Sequence, residues 1–391
     1  MSLPRHSFQN RWRAAGALAI AGLVALLWGC GGVGSGGTGD YVESSVNGFG
    51  SVIVGGVEFD DGVADVVDDD GIVVVGNGNE VRLGMTLEVE GSGTVAPGAR
   101  SAAQTLHIVT TVLGPVDAVD AGAGTLTVLG QRVQVRGSTV FGMPLRGGLS
   151  ALRAGDVVAV YGYADAGNSG TLATRIEAAP GARAYRLRGV VSGLDTAAGT
   201  LRIGGASLSY LSAANAPVAL ANGQRVNLRV PARSPDLTVD AFLPASRRPV
   251  DAASALIEGL VTSFSNAGAF SVNGTPVDAR QASVAPASAA LATGSFVSVQ
   301  GRIAEGVLLA SRVTVPTSNA MDVRGFQVSG TVSGLDAVAK TFTVRNVEVD
   351  YSGASFVDGT AAELVNGAAV RVEGPLSTDG SRIRATQVLL R

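Results

Sequence analysis

The most regular feature of this chain is a glycine followed by alternating apolar and polar positions, and it recurs five times. The block has the form Gly-x-x-[apolar]-x-[apolar]-x and begins at Gly84, Gly155, Gly223, Gly294 and Gly367. These glycines lie 71, 68, 71 and 73 residues apart. Alternation with a period of two is typical of a β-strand with one buried face, and a constant spacing indicates a repeated unit. The sequence therefore predicts one small β module used five times.

Each repeat shows the same order of predicted elements around that strand. A short opening strand is followed by a hairpin, whose two-residue turn carries the Gly or Asn that tight hairpins require. The predicted turns are Gly55-Gly56, Leu129-Gly130, Gly204-Gly205, Asn273-Gly274 and Arg345-Asn346. A connection rich in alanine, the Gly-x-x strand and a closing strand complete the unit. This is the element order of an OB-like Greek-key barrel.

We therefore predict an all-β chain, a tandem array of about five small five-stranded OB-like Greek-key barrels after a signal peptide and a Gly-rich tether. The alternative is an open two-layer sandwich per module. Closed barrels are favoured because closure removes the exposed strand edges on which tandem β repeats aggregate. The predicted segments are a lipoprotein-type signal peptide (1–29), a tether (30–43), modules 1 (44–113), 2 (114–183) and 3 (184–246), a linker (247–257), and modules 4 (258–318) and 5 (319–391).

Two of the predicted modules depart from the pattern. Module 1 contains an insertion over residues 59–80, within which we predict an additional strand over 72–75. Module 3 has Val230 where the other modules have a glycine at the end of the fourth strand. It is followed by a proline-rich stretch, residues 233–253, that we interpret as a flexible joint or, alternatively, as a poorly packed extra strand.

The first thirty residues have the pattern of an export signal. Arg5, Arg11 and Arg13 precede an apolar stretch that is shorter than the roughly 20 residues of a membrane-spanning helix. The segment 27–30, which ends in Gly29-Cys30, resembles a bacterial lipobox, in which cleavage before the cysteine leaves a thiol that carries diacylglycerol. An ordinary secretory signal or an uncleaved anchor is the alternative. The resemblance implies an N-terminal lipid on Cys30 and a bacterial envelope protein, in the outer membrane since glycine follows the cysteine.

Composition narrows the classes of partner. Cys30 is the single cysteine, so disulfides do not stabilise the fold. Removal of the signal leaves 26 basic and 32 acidic residues, a net charge near −6. Because nucleic-acid binding needs a basic face, we expect no nucleic-acid partner.

The opening and closing motifs of the modules resemble those of a known family. Residues 47–57 resemble an opening motif of the form G-x-[VI]-x-G-[FL] followed by F-x-[VI]-x-G. Residues 310–313 match a closing motif, A-[ST]-x-[VI]. Over about residues 44–391 the chain resembles the DUF5666 family, bacterial envelope proteins that are frequently lipoproteins built from tandem β modules. The resemblance implies a fold unit and carries no assigned catalytic residue.

Candidate catalytic groups are scarce. His107 is the only histidine of the mature chain, and its place in an alternating run predicts that it points to solvent. A Ser-His-Asp triad would need this residue, and no nucleophile elbow is present. We therefore expect no enzymatic activity and no cofactor. A hydrolase that uses a pair of carboxylates is the third and weakest of our functional hypotheses.

Two groups of residues are weak candidates for binding. An acidic cluster before Gly71 offers oxygen ligands of the kind that Ca²⁺ takes, although a solvated hairpin tip is the simpler interpretation. It consists of Asp60, Asp61, Asp65, Asp68, Asp69 and Asp70. Tyr161 and Tyr163 flank a glycine at a strand end, where we expect them to be exposed and to contact a sugar or a peptide.

The leading functional hypothesis is a non-enzymatic, membrane-tethered envelope lipoprotein that acts as an interaction or spacer array, with an envelope protein or polysaccharide as partner. Tandem modules would add avidity to weak individual contacts. The alternative is a periplasmic protein that binds a small ligand or Ca²⁺ through the acidic loop of module 1.

Overall fold

The protein is described by a computed structural model over residues 39–74, 80–145, 147–165, 170–234, 236–316 and 325–391. This part of the chain contains 31 strands and two 3₁₀ helices, Gly148–Ala151 and Ala361–Glu363. No helix within it is long and apolar enough to cross a membrane. The predicted signal peptide, Cys30 and most of the tether lie outside the described residues. Residues 40–43, which we assigned to the tether, form the start of the first strand.

The strands follow in chain order, and each is given with the module number in which it falls. Module 1 contains β1 (Asp40–Phe49), β2 (Val52–Val54), β3 (Val57–Asp60), β4 (Asp65–Val67), β5 (Thr86–Gly93) and β6 (Arg100–Ile108). Module 2 contains β7 (Val112–Asp120), β8 (Thr125–Val128), β9 (Gln131–Gln134), β10 (Val140–Phe141), β11 (Val157–Ala164) and β12 (Gly170–Ala178). Module 3 contains β13 (Ala184–Asp195), β14 (Thr200–Ile203), β15 (Ala206–Ser209), β16 (Arg225–Pro231) and β17 (Ala241–Leu243).

The remaining strands belong to the last two modules. Module 4 contains β18 (Ala252–Asn266), β19 (Ala269–Val272), β20 (Thr275–Asp278), β21 (Ser283–Ala285), β22 (Phe296–Ala304) and β23 (Val307–Thr314). Module 5 contains β24 (Phe326–Thr331), β25 (Ser333–Asp336), β26 (Thr341–Val344), β27 (Val347–Asp350), β28 (Ser355–Val357), β29 (Ala369–Gly374), β30 (Arg382–Arg384) and β31 (Gln387–Leu390). The start of β18 shows that residues 252–257 of the predicted linker are strand.

The modules repeat one ring of strand pairs. In module 1, β1, β2 and β3 form an antiparallel meander, β3 pairs in parallel with β6, and β6 returns through β5 to β1. Modules 2 and 4 close in the same order. Module 5 does so with its first and last strands each broken in two. The prediction of an all-β chain of small, closed, five-stranded OB-like barrels is confirmed.

The repeated glycine has one role throughout. It has a positive φ in all five modules, +82° at Gly84 and +93° at Gly367, which only glycine adopts without strain. Its amide donates to the first strand of its own module, from Gly84 to Val46 O at 2.8 Å and from Gly367 to Val332 O at 2.9 Å. The glycine therefore fixes the start of the fourth strand against the first.

A second glycine, seven residues later, lets the fourth and fifth strands meet. At Gly162 an added Cβ would lie 2.2 Å from Leu172 O, and at Gly301 it would lie 2.1 Å from Leu309 O. Module 3 has Val230 here. Its fifth strand, β17, pairs with the middle of β16 and forms a bridge to Ala214, and its ring closes through an isolated bridge between Ser209 and Thr238. Module 3 thus departs from the others at the strand pair where it lacks this glycine.

The modules are joined through the edges of their first strands. One edge of β1 pairs in parallel with β18 of module 4 over 40–43, and the opposite edge pairs in parallel with β24 of module 5 at Gly48 and Phe49. In the same way β7 of module 2 pairs with β13 of module 3. Barrel closure therefore leaves these edges open, contrary to our expectation, and neighbouring modules cover them. The modules therefore pack against one another and are not separate domains.

Two local predictions are wrong. In the insertion of module 1 the strand is β4, and Val73 contributes only an isolated bridge to Val67; Val75 lies outside the described residues. The stretch 233–253 is neither a loose joint nor a poorly packed strand. Val239 and Phe242 are buried in the core of module 3, and β17 pairs with β16. Burial of apolar side chains orders a segment whose prolines had suggested flexibility.

Candidate ligand cavity between modules

A cavity of about 220 Å³ lies where modules 1 to 4 meet. Module 1 contributes β1 and β5, module 2 contributes the end of β11, and module 3 contributes β13 and β16. The turn at Asn273 and Gly274 of module 4 and the segment 244–250, here called the strap, complete the wall. Its ionisable side chains are Glu43, Glu88, Tyr163, Arg188, Arg225 and Arg248.

Glu43 lies on the part of β1 that is paired with a neighbouring strand along both edges, which places its side chain between modules. β5 covers one edge of this part of β1 and β18 covers the other. Asn273 Nδ2 donates to Glu43 Oε1 at 2.9 Å, and the Tyr41 hydroxyl donates to Oε2 at 3.3 Å. Burial, and then the negative charge of Glu88, raise the pKa of Glu43 to about 7. Its carboxyl therefore changes charge near neutral pH.

Glu88, the second glutamate of the cavity wall, is ionised. Ser246 Oγ donates to its Oε1 and the Arg247 amide to its Oε2, both at 2.7 Å. His107 Nδ1 lies 3.3 Å from Oε2. Burial alone would raise the pKa of Glu88, but the hydrogen bonds from His107 and Ser246 outweigh it and lower the pKa. This carboxylate stays negative and holds the strap against module 1.

Three arginines face the two glutamates. Arg188 is held by Asp69 Oδ1 at 2.7 Å and by the Ala245 carbonyl. Arg248 Nη1 donates to Thr275 Oγ1. Burial, followed by the positive charge of Arg188, lowers the pKa of Arg225, which shows that the positive charges in this region repel one another.

The predicted exposure of the two tyrosines is wrong. Tyr161 and Tyr163 are both buried, 6% and 4% exposed, because module 1 covers the outer face of β11. Tyr163 accepts a hydrogen bond from the Ser45 amide at 2.8 Å, and its ring lies 5.6 Å from that of Phe296 in module 4. Tyr163 nevertheless lines the cavity, whereas Tyr161 donates to Glu177 Oε1 at 3.1 Å.

His107 is also buried rather than solvent-facing, at 3% exposure. It lies on the outer face of its own barrel, and the strap covers that face, with Arg247 Nε 3.1 Å from His107 Nε2. Ser246 donates to Glu88 and not to the histidine. The carboxylate lies between hydroxyl and imidazole, which is the wrong order for a Ser-His-acid relay.

The six aspartates of the acidic cluster are divided among different tasks. Asp69 pairs with Arg188, and Asp70 pairs with Arg186 and Arg229, all three arginines belonging to module 3. Asp68 accepts hydrogen bonds from the amides of its own turn. Asp60 accepts from the Gly62 amide, while Asp61 and Asp65 contribute to a separate surface groove.

Within the residues that the structure describes, no group of three or more acidic, histidine or cysteine side chains is arranged to hold a metal ion. The carboxylates of Asp69 and Asp70 are instead neutralised by arginines. The acidic loop thus fixes module 3 to module 1.

Sequence reasoning missed the cavity residues Glu43, Glu88, Arg188, Arg225 and Arg248. The four strand residues lie in apolar-polar alternation, as Glu88 does between Leu87 and Val89, and alternation assigns such positions to solvent; Arg248 lies in the proline-rich stretch that we interpreted as a joint. The outer faces of the barrels become interior only when the modules pack. A weak signal existed, since charged residues recur on the first and fourth strands of different modules.

The sequence profile of a domain of unknown function, DUF5666, matches residues 114–177, 258–314 and 329–388. These segments correspond to modules 2, 4 and 5. The motif at residues 47–57 lies outside the matched segments. No curated protein matches the chain.

Proposed function

Because the chain carries DUF5666 domains in tandem, we propose that it is a non-enzymatic, membrane-tethered protein of the bacterial envelope whose packed modules bind a small molecule. The observation that carries this proposal is the cavity of about 220 Å³ with Glu43, Arg225 and Arg248 on its wall. Ligand sites are typically concave, with a few convergent polar groups and a carboxyl of shifted pKa.

The size of the cavity favours a small ligand over a polymer. At about 30 Å³ per water molecule, it offers room for roughly seven waters, the volume of a small metabolite. The walls come from four modules, so the site exists only in the assembled body. The tandem arrangement would then serve to assemble one binding site, which independent modules would not form.

The packing of the modules also argues against two of the earlier hypotheses, the extended spacer and the Ca²⁺-binding acidic loop. Strand pairing of β1 with β18 and β24 produces a compact body, which is poorly suited to an extended spacer. Pairing of Asp69 and Asp70 with arginines leaves the acidic loop poorly suited to Ca²⁺. The lipobox-like sequence at Cys30 and the glycine-rich segment after it support a lipid-tethered protein, with the membrane as its constant partner.

The binding function is tested by filling the cavity without changing its charge. Melting temperatures of the full chain are measured with amino acids, sugars and small carboxylic acids. Ala164 lines the cavity, so Ala164→Leu should abolish any stabilisation, whereas Ala121→Leu, in an exposed turn of the same module, should preserve it. Stabilisation that survives Ala164→Leu would place the ligand elsewhere.

Tethering is tested separately. Cys30→Ser should abolish incorporation of labelled fatty acid and release the protein from membranes. Protease added to intact cells should degrade a tagged protein displayed on the surface and spare a periplasmic one. Unchanged fatty-acid labelling of the variant would contradict lipidation at Cys30.

A further inference from the structure

The strap forms part of the cavity wall and is held in place by hydrogen bonds. Its side chains are half-buried or exposed, and the apolar cores do not include them. Ser246 Oγ and the Arg247 amide donate to Glu88 of module 1, both at 2.7 Å. Asn227 Nδ2 of module 3 donates to the Pro244 carbonyl at 3.2 Å. A segment with few buried apolar contacts opens more readily than a core strand.

One imidazole nitrogen of His107 faces two groups with opposite requirements. Nε2 lies 3.1 Å from Arg247 Nε, which can only donate a hydrogen bond, and 3.0 Å from the Asp68 carbonyl, which can only accept one. The other nitrogen, Nδ1, lies 3.3 Å from the ionised carboxylate of Glu88 and therefore carries a proton. Nε2 can thus serve Arg247 or Asp68, but not both at once.

The charge of the imidazole decides which of the two groups it serves. A neutral ring with its proton on Nδ1 has a lone pair on Nε2, which accepts the hydrogen bond from Arg247. A second proton turns Nε2 into a donor to Asp68 and places an imidazolium beside a guanidinium. The Asp68 carbonyl also accepts from the Gly71 amide at 3.0 Å, so it does not depend on the imidazole. Imidazole is the side-chain type that gains a proton between pH 5 and 8.

Arg247 has little room to move away while the strap stays closed. An added Cβ on Gly71 would lie 2.6 Å from Arg247 Nη2, so the guanidinium lies directly against a loop of module 1. The backbone amide of the same residue is fixed to Glu88. Repulsion by a charged imidazole therefore acts on the strap as well as on the side chain.

We propose that His107 acts as a proton-controlled latch: a second proton on its ring releases the strap from module 1. With a neutral ring the strap is closed, because Arg247 and the two donors to Glu88 all hold it. With a charged ring the hydrogen bond from Arg247 is lost, while Glu88 retains the imidazolium. Release of the strap removes part of the cavity wall. This consequence for ligand entry rests on the binding function proposed above, whereas the latch itself does not.

The groups that face His107 come from every element packed against it. β5 contributes Glu88 and the strap contributes Arg247. β4 places Val67, which is apolar, at the paired position. The loop after β4 contributes Asp68, whose carboxylate accepts hydrogen bonds from amides of its own turn. The more distant charges are those of Glu43, Asp69, Asp70 and Arg188.

The test measures hydrogen–deuterium exchange of the strap amides in the full chain at about pH 5 and about pH 8, with rates corrected for the intrinsic pH dependence of exchange. Protection of the strap should be about tenfold lower, or more, at the acidic pH, because a hydrogen bond from a charged group is lost. β22, whose Val297 and Val299 are buried, is the internal reference and should keep its protection. Equal strap protection at both pH values, or an equal loss in β22, would overturn the latch.

A matched pair of variants identifies the group that takes up the proton. His107→Gln offers a donor and an acceptor but gains no charge, so the strap should stay protected at both pH values. Glu43→Gln is the control, because the pKa of Glu43 is raised to about 7 and this carboxyl also changes charge in the range. The pH response should survive in Glu43→Gln. A response that disappears in Glu43→Gln and persists in His107→Gln would assign it to Glu43 and contradict the proposal.

A second pair keeps the test decisive if His107→Gln does not fold. Arg247→Ala removes the cation that the imidazolium repels, so strap protection should become equal at the two pH values. Arg233→Ala, an exposed arginine of the stretch before the strap, should retain the full response. A full response in Arg247→Ala would show that the strap is not released in this way. These measurements use no ligand, so their failure leaves the binding function standing, and Ala164→Leu tests that function alone.

Discussion

From Thr86 to Val89 both faces of β5 are buried, one in apolar and the other in charged surroundings. Leu87 and Val89 belong to the apolar core of the first barrel, whereas Glu88, between them, belongs to the charged network that joins modules 1 and 3. Apolar packing tolerates small changes of orientation. Buried charges require specific partners, and removing one partner leaves the other uncompensated. The barrels therefore obtain stability from their cores, and ionic pairs specify how module 3 lies against module 1.

The largest loss in the free energy of unfolding is expected when one charge of a buried ion pair is removed. Asp69→Asn leaves Arg188 without its carboxylate, and we expect a loss of about 4 kcal/mol in the free energy of unfolding. Urea denaturation provides the measurement. Asp65→Asn, an exposed member of the same acidic cluster, should change stability by about 0.5 kcal/mol or less. Equal effects of the two substitutions would mean that the loop does not dock module 3.

The packing inside a barrel is tested by a substitution that forces two of its strands apart. Gly162→Ala places a Cβ 2.2 Å from Leu172 O, and separation of the two strands should cost about 3 kcal/mol. Gly137→Ala, in the same module, meets no atom within 4 Å and should be close to neutral. Comparable urea midpoints for both variants would show that the close contact between the two strands accepts a side chain.

The pH dependence of stability sharpens the distinction, because the charged region contains a carboxyl, that of Glu43, whose pKa is raised to about 7. The folded chain retains the Glu43 proton up to about pH 7, whereas the unfolded chain releases it near 4.5. Stability contributed by the neutral carboxyl is thus present below pH 4.5 and is lost as the pH rises to 7. Glu43→Gln should exceed the parent by about 2–3 kcal/mol at pH 8 and match it at pH 4. A constant difference across this range would contradict the shift.

The smallest effect is expected for an ion pair on the surface. Arg100 and Glu58 are 3.1 Å apart, but the arginine side chain is 82% exposed. Arg100→Gln should lower stability by about 0.5 kcal/mol or less, and added salt should remove even that difference. A loss as large as that of Asp69→Asn would remove the distinction between surface and inter-module charge.

The regular parts of this structure follow from local patterns. The turn glycines at Gly84 and Gly367, the hairpin turns and the alternating strands were predictable because each depends on residues close in the sequence. Tyr163, His107 and Glu43 were placed wrongly or missed for one shared reason. Their side chains point away from their own barrels, and only the packing of other modules buries them. Periodicity within one strand contains no information about which distant strand covers its outer face.

The position of β1 has a consequence for the order in which the chain can fold. Ser44 and Glu258 form a hydrogen bond across 214 residues, and the parts of both β1 edges that β2 and β5 leave unpaired are covered by strands of modules 4 and 5. Contacts of such separation form slowly because a long loop must close first. A chain truncated after residue 251 should expose that edge and associate in light-scattering measurements, whereas a monomeric fragment would argue against it. β1 is thus completed only after strands that follow it by more than 200 residues have been made, and module 1 depends on modules 4 and 5 for its final shape.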